Sequence, residues 1–398
     1  MKRNKPGADS ESLITQDVTY IDNQKTFEAL VKELLLEERV AIDTEFHRER
    51  TYYPSVALVQ IAHTKGISLI DPLKVDLEKL TELLNSEVLI VMHAASQDLE
   101  VFQHVCGAAP KRLFDTQIAA GFIGMSTPSL SSLYEKQLGV VIKKESRLTD
   151  WMARPLSTSQ LEYAANDVRY LLKVYEKIKE CLVERGRTSW VEAECSLLLE
   201  KEKGRREPHE AWRKIKEGKN LRGDALNNIR ALAAWRETKA SNLNIPVRYV
   251  FPDLALVAVA QQEPSDIKSL ESIRGVETRH LKNSSPEEIF FALQNAKELP
   301  PLPQKKKKDK DISNDLRAGV TLVSAWVSQA ARQLDLDPTM LGTRADIEAL
   351  VRGDSDAKMS IGWRNEIVGE SVRELLQGRA TLAFDGEEGL VLERREKR

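Results

Sequence analysis

Short apolar runs with strand character alternate with longer helical runs over the first half of this 398-residue chain. The alternation extends from Val18 to about Cys181, and after Gly186 the strand patterns stop while helical patterns continue. Strands and helices that alternate in this way are typical of α/β domains. The predicted strands are Val40–Phe46, Val56–Ala62, Ile67–Ile70 and Val88–His93. The chain therefore predicts an α/β domain with a mixed sheet, followed by a mainly helical region.

Predicted helices lie between and after these strands. They cover Gln24–Leu35, Leu77–Leu84, Gln97–Val105, Thr116–Ile123, Leu130–Leu138 and Ser159–Leu182. The last is predicted as one unusually long helix. Further along, helices are predicted at Leu226–Lys239 and Leu254–Ala260, and Thr381–Phe384 with Gly389–Leu392 predict a small hairpin.

Shifts in composition divide the chain into five segments. They are a disordered N-terminal tail (1–17), an α/β domain (18–190), a small all-α bundle (205–297), a linker (298–311) and a second small bundle (312–395). Pro208 suits the first position of a helix near the start of the first bundle. The linker carries three prolines and the lysine run Lys305–Lys308, which suit an exposed connection.

The composition is that of a soluble globular chain, with 41% hydrophobic and 30% charged residues. No apolar segment is long enough to cross a bilayer, and Met1 to Ser12 lack the apolar stretch of a secretory signal, so a cytoplasmic location is expected. The three cysteines are widely spaced, which argues against a disulfide framework and a zinc site. With a formal net charge of −2, a nucleic-acid ligand would need local basic patches and bound cations.

Two carboxylates lie next to each other at the end of the first predicted strand. Asp43 and Glu45 follow the apolar run Val40-Ala41-Ile42, and residues i and i+2 of a strand point to the same face. Thr44 would turn to the opposite face. Like charges held side by side favour a bound cation.

Two further acids occur in comparable local settings. Asp98 opens the helix that follows the apolar segment Val88 to Met92. Tyr163 and Asp167 are four residues apart in a helical pattern and therefore share one face. Four converging carboxylates would repel one another strongly near neutral pH, because free Asp and Glu have pKa values of about 4. Hard oxygen ligands of this kind favour Mg²⁺ or Mn²⁺ over zinc.

These motifs together resemble the tyrosine-containing branch of the DEDD 3′→5′ exonucleases, and in particular the ribonuclease D family. The resemblance is carried by Asp43-Thr44-Glu45-Phe46, Leu58-Val59-Gln60-Ile61, the run from His93 to Phe102 and Tyr163-Ala164-Ala165-Asn166-Asp167. Asn244 to Val250 and Trp363 to Gly369 resemble parts of HRDC domains. The resemblance implies a ribonuclease H-like α/β fold followed by two HRDC-like bundles.

The resemblance also implies a set of roles. Asp43, Glu45, Asp98 and Asp167 would hold two divalent cations, Mg²⁺ or Mn²⁺, and Tyr163 would be the fifth catalytic residue. We expect Tyr163 to orient the attacking water rather than act as a simple base, because an unperturbed tyrosine has a pKa of about 10. The implied reaction trims the 3′ ends of structured RNA, with tRNA precursors as the leading substrate, and releases nucleoside 5′-monophosphates. Neither a membrane nor an obligate protein partner is expected.

Basic residues with an interleaved aromatic follow the predicted helix Leu130–Leu138. Lys144, Arg147, Trp151 and Arg154 could hold phosphates and stack a base, although Trp151 could equally belong to the core. Asp115 is predicted to cap the helix that starts at Thr116 rather than to bind metal.

Two alternative functions remain open at this point. A DNA-directed exonuclease of the same superfamily would have the same metal centre, and the two HRDC-like bundles favour RNA. A non-catalytic nucleic-acid-binding protein that kept the fold is disfavoured, because all five active-site positions are intact.

Overall fold

A six-stranded mixed sheet lies at the centre of the α/β domain. The computed structural model describes residues 17–142, 149–200, 207–277, 281, 285–300, 302, 314–387 and 389–395. The strands are β1 (Val18–Ile21), β2 (Arg39–His47), β3 (Ser55–His63), β4 (Gly66–Ile70), β5 (Leu89–Met92) and β6 (Leu113–Asp115), in the order β1-β4-β3-β2-β5-β6. β3 is antiparallel to both its neighbours, whereas the other pairs are parallel. The predicted mixed sheet and its four predicted strands are confirmed, and the two short edge strands were not predicted.

Helices cover both faces of this sheet. They are α1 (Gln24–Leu34), α2 (Leu80–Leu84, preceded by a 3-10 turn at Leu77–Lys79), α3 (Ser96–Val105), α4 (Thr116–Gly121), α5 (Leu130–Leu138), α6 (Thr158–Arg169), α7 (Leu171–Glu184) and α8 (Thr188–Glu200). The prediction of one helix over Ser159–Leu182 was wrong. The backbone of Tyr170 leaves the helical conformation, with φ −109° and ψ 0°, and separates α6 from α7. The sequence contains neither proline nor glycine there to signal the break.

Successive side chains of β2 point alternately to the two faces of the sheet. Val40 and Ile42 are fully buried in an apolar cluster that contains residues of α1, α2 and α3. Ala41 belongs to the opposite cluster, which contains residues of α6 and α7. Asp43 and Glu45 continue the Ala41 side of the strand. The acids at the end of β2 therefore point toward the face on which α6 packs.

The first helical unit, residues 208–296, has an apolar core of its own. It contains 3-10 turns at Pro208–Lys214 and Glu217–Asn220 and helices Gly223–Leu243, Val247–Val250, Asp253–Gln262, Ile267–Glu271 and Pro286–Ala296. It reaches the α/β domain at the loop between β2 and β3. The Tyr52 hydroxyl donates to Glu237 Oε1 at 2.7 Å, and the Tyr53 amide donates to Asn244 Oδ1 at 3.0 Å.

The second helical unit, residues 314–395, shares its core with the α/β domain. It contains helices Asn314–Gln333, Pro338–Leu341, Arg344–Arg352, Gly362–Arg364 and Glu370–Leu376, a 3-10 turn at Lys358–Ser360, a π-helical turn at Asn365–Gly369 and the hairpin Ala380–Phe384 with Leu390–Arg394. The predicted hairpin is thus confirmed. Val323 and Trp363 lie in the same apolar cluster as Phe122 and Val191 of the α/β domain. No helix in the described parts of the chain is long and apolar enough to cross a membrane.

Aromatic and ionic contacts reinforce this shared core. The indole of Trp363 stacks on that of Trp190 with ring centroids 5.1 Å apart and the planes inclined by 17°. The buried guanidinium of Arg364 pairs with Glu194 at 2.5 Å. From the α/β side, Arg187 donates to the carbonyl oxygens of Phe122 and Leu334. The second helical unit therefore supports the α/β domain directly.

Trp363→Ala should destabilise the α/β domain as well as the second helical unit. Truncating a buried tryptophan costs about 3–5 kcal/mol, and this one fills a core that both units share. Hydrogen exchange measured by mass spectrometry should show faster exchange in α4 and α8. Trp235→Ala is the matched control, because Trp235 packs against the separate core of the first helical unit. Unchanged exchange in α4 and α8 of the Trp363 variant would contradict a shared core.

Candidate active site

Three of the four predicted acids converge on one position. Asp43 and Glu45 come from β2, and Asp167 comes from α6, and one carboxylate oxygen from each lies within 4.8 Å of the other two. The two strand acids share a face because they are two residues apart on β2. No irregularity separates them, since the register of β2 with β3 shifts only between Glu45 and Phe46. The arrangement offers three oxygen ligands to a single cation.

The fourth predicted acid lies beside this group on a different element. Asp98 is in the first turn of α3 and is 7% exposed. Its carboxylate accepts a hydrogen bond from the Thr44 hydroxyl at 2.5 Å. Thr44 is buried on the opposite side of β2 from Asp43 and Glu45, as the strand pattern predicts. Asp98 is therefore close to the three convergent acids without belonging to their set.

The electrostatics of the site favour a bound cation. Burial, together with the charges of Asp167 and Asp98, raises the pKa of Glu45 to about 8. Burial and the same two aspartates, with Glu45, raise the pKa of Asp43 well above its usual value. Burial raises the pKa of Asp98 to about 6. Protons that neutralise these groups in the ion-free protein can be replaced by divalent ions, which bind the ionised form.

Two tyrosines flank the acid on α6. Tyr163 lies one helical turn before Asp167, and its ring is 5.9 Å from that of Trp151. Tyr134 of α5 is fully buried and donates from its hydroxyl to the backbone oxygen of Asp167 at 3.0 Å. A cavity of about 260 Å³ opens beside Tyr163 and Asp167. Its lining includes Val140, Ile142, Tyr163, Asn166, Asp167 and Tyr170.

A buried amide next to Asp43 was not predicted as part of the site. Gln60 is the cross-strand partner of Asp43, is 0% exposed, and neither its Oε1 nor its Nε2 has a hydrogen-bond partner within the described chain. An unsatisfied buried polar group costs about 1–3 kcal/mol. The signal was present in the sequence, because Gln60 interrupts the apolar run Leu58 to Ala62.

Of the four residues predicted to bind RNA, the structure describes Trp151 and Arg154, and both make contacts within the protein. Lys144 and Arg147 lie outside the described residues. Trp151 is 9% exposed and belongs to the core of the α/β domain, which agrees with the structural alternative. The guanidinium of Arg154 forms hydrogen bonds to both carboxylate oxygens of Asp71, at 2.8 and 2.7 Å, and to the Ala57 carbonyl. These contacts give Arg154 a structural role, and RNA binding by the four residues stays a prediction.

Two other acids, Asp115 and Glu100, have structural roles. Asp115 is the N-cap of α4, where its side chain accepts from the amides of Gln117 and Ile118, so the predicted cap is confirmed. Glu100 is exposed and forms an ion pair with Arg48.

Comparison with known proteins identifies the class to which this site belongs. A family model described as a 3′-5′ exonuclease matches residues 18–182, and a model described as the HRDC domain matches residues 225–289. The HRDC match falls within the first helical unit, so the HRDC-like character of the second unit stays a prediction. The fold and the acids together define a 3′→5′ exonuclease.

Similarity over nearly the whole chain gives the family. Ribonuclease D of Zymomonas mobilis is 34% identical over 379 residues, which cover 93% of this chain and 96% of that protein. Ribonuclease D of Bartonella henselae is 35% identical over 351 residues, 85% of each chain. The crystal structure of Escherichia coli RNase D superposes with a TM-score of 0.81 at 30% identity and covers 91% of this chain and 99% of that chain. The chain belongs to the ribonuclease D family and is a 3′→5′ exoribonuclease.

The raised pKa values predict that the ion-free protein loses stability as the pH rises. The folded protein keeps a proton on Glu45 up to about pH 8, whereas the unfolded chain releases it near pH 4.3, so the free energy of unfolding should fall across this interval. Urea unfolding in EDTA at several pH values measures the effect. Glu45→Gln should flatten part of the decline, and Mg²⁺ should stabilise the wild type more at about pH 8 than at about pH 5.5. Identical pH profiles for the wild type and the variant in EDTA would contradict the assignment.

Proposed function

We propose that this exoribonuclease trims the 3′ ends of structured RNA, with tRNA precursors as the leading substrate, by hydrolysis that depends on two divalent cations, Mg²⁺ or Mn²⁺. The observation that carries the proposal is the convergence of Asp43, Glu45 and Asp167, with Asp98 held alongside. The similar E. coli protein is described as an exoribonuclease involved in structured RNA processing, which supports the same class of substrate here.

The donor set of the site fits hard divalent cations. All four candidate ligands are carboxylates, and oxygen ligands suit Mg²⁺ and Mn²⁺. Asp43, Glu45 and Asp167 would hold one ion, and Asp43 with Asp98 would hold the second. When bound, such a pair supplies an activated water and charge stabilisation for the attacking and leaving oxygens of a phosphodiester.

The side chains around the acids would then orient the reactants. Tyr163 lies about 6 Å from Asp167 along the axis of α6, on the same helical face. From there its hydroxyl would position the attacking water and the terminal phosphate. Tyr134 would hold the backbone of α6 at Asp167 through its hydrogen bond to the carbonyl oxygen. Attack at the last phosphodiester would release a nucleoside 5′-monophosphate.

The first helical unit would receive the body of the RNA. Its contacts through Glu237 and Asn244 join it to the β2–β3 loop, which follows the acids of β2 along the chain. RNA held on this unit would therefore have its 3′ end near the acids. We expect the activity to need no obligate protein partner.

Purified protein should shorten a 5′-labelled, 3′-extended tRNA from its 3′ end in Mg²⁺ or Mn²⁺ and leave it intact in EDTA. Asp43→Asn should lower the rate by more than about 100-fold, because it removes a charge shared by both proposed ion sites. Denaturing gels resolve the shortened RNA, and chromatography identifies the mononucleotide product. A single-stranded DNA of matched sequence is the control substrate.

The outcomes of this assay separate the alternatives. Equal or preferred digestion of the DNA would move the activity to the DNA-directed branch. No cleavage of either substrate with any cation would favour a nucleic-acid-binding protein. Internal cuts or 3′-phosphate products would contradict the proposed exonucleolytic chemistry.

Tyr163→Phe should lower kcat by about 10- to 100-fold while cation binding stays near that of the wild type, since the hydroxyl orients reactants and is not a proposed ligand. Single-turnover kinetics and calorimetry with Mn²⁺ measure the two effects. Tyr170→Phe is the matched control, because it removes a hydroxyl from the wall of the same cavity. Equal rates for the Tyr163 variant and the wild type would exclude the orienting role.

A further inference from the structure

Asp98 is held in place by the Thr44 hydroxyl, which lies on the side of β2 opposite Asp43 and Glu45. The Thr44 hydroxyl donates to Asp98 Oδ1 at 2.5 Å, and both side chains are buried, at 6% and 7% exposure. A charge-assisted hydrogen bond in a dry environment is stronger than one between neutral groups in water. The bond therefore fixes the rotamer of the one proposed ligand that is not part of the convergent three.

The helix that carries Asp98 is fixed by a second carboxylate. The N-cap residue of α3 is Ala95, which has no side-chain hydrogen-bonding group. Asp115 of β6 instead holds the two residues that precede the helix: its Oδ1 accepts from the Ala94 amide at 3.1 Å, and its Oδ2 accepts from the Ala95 amide at 2.8 Å.

The same Asp115 carboxylate also holds the start of α4. Its Oδ1 accepts from the amides of Gln117 at 2.8 Å and Ile118 at 3.3 Å, and the residue is 2% exposed. One buried carboxylate thus joins the N-termini of two helices. It also holds Ala94 in the left-handed region, at φ 58°, which a residue with a side chain adopts only under constraint.

We propose that Thr44 and Asp115 are positioning residues for Asp98: Thr44 fixes its carboxylate, and Asp115 fixes Ala94 and Ala95, the two residues that lead into α3. Neither is a proposed cation ligand: the Thr44 hydroxyl bonds the Asp98 carboxylate, and the Asp115 carboxylate bonds the residues that lead into the helix of Asp98. The inference rests on the proposed function, because it assigns Asp98 to the second cation. It makes the orientation of Asp98 a property of the folded chain before RNA binds.

Thr44→Val and Thr44→Ser test the first half of the proposal. Valine is nearly isosteric with threonine but has no hydroxyl, whereas serine keeps it. We expect Thr44→Val to lower kcat by about 10- to 100-fold, to raise the Mg²⁺ concentration for half-maximal rate by about tenfold, and to leave the KM for RNA unchanged. Thr44→Ser should restore the wild-type values within a few-fold. Ser68→Ala is the control, since it removes another buried strand hydroxyl in β4.

Asp115→Asn tests the second half. Asparagine keeps one acceptor oxygen where aspartate offers two, so Ala94 and Ala95 should lose part of the anchoring that leads into α3. The expected result is again a lower kcat and a higher Mg²⁺ concentration for half-maximal rate, at an unchanged KM for RNA. If this variant loses its fold, as judged by circular dichroism, the Thr44 pair decides the proposal alone.

Calorimetric titration of each protein with Mn²⁺ in the absence of RNA separates the possible failures. Cation binding by the wild type, its loss in Asp43→Asn and its weakening in Thr44→Val would support the inference. Wild-type binding with an identical Thr44→Val titration and unchanged kcat would overturn the inference and leave the proposed function standing. A wild type that binds no cation would overturn both. If Thr44 only stabilised the fold, Thr44→Val would unfold at a lower temperature but would bind Mn²⁺ and depend on Mg²⁺ as the wild type does. That result would also overturn the inference.

Discussion

The mutual repulsion of clustered, partly buried carboxylates is the constraint on which the rest of this structure depends. Asp43, Glu45 and Asp167 meet within a few ångströms, and Asp98 lies close enough to raise the pKa values of Asp43 and Glu45. Such a cluster opposes folding, because each charge is removed from water next to others of its sign. The protein must therefore hold these groups together by contacts made elsewhere. The apolar clusters on the two faces of the sheet contribute to that stabilisation.

The second helical unit contributes to this stabilisation from a distance. Its apolar residues continue the cluster that covers the α6 side of the sheet, and Trp363 and Arg364 contact α8 through Trp190 and Glu194. The first helical unit has a separate core and meets the α/β domain through polar contacts of the β2–β3 loop. The two units therefore differ physically: the second shares the apolar core of the α/β domain, whereas the first contacts that domain through the β2–β3 loop.

Local periodicity was sufficient to predict which residues of the site share a face of β2 or of α6. The two-residue repeat of β2 places Asp43 and Glu45 together, and the four-residue spacing on α6 pairs Tyr163 with Asp167. What could not be predicted depends on partners distant in sequence: the ion pair of Arg154 with Asp71, the core shared with residues beyond 314, and the bond from Thr44 to Asp98. The break at Tyr170 also lacks a local signal, and there the ring of Tyr170 packs edge-on against Tyr134 at 5.6 Å.

Hydrogen bonds and strand packing within the chain hold the acids in position. Tyr134 holds the backbone at Asp167, the β2–β3 register fixes Asp43 and Glu45, and Thr44 holds Asp98. Cations that bind the proposed site would exchange with protons on carboxyls that the fold already holds in place. Because folding would already have paid the entropy of bringing these ligands together, more of the ion-binding free energy would remain for attracting the phosphate of the substrate. Bound cations would thus let a chain with a formal net charge of −2 bring a polyanion to a cluster of acids.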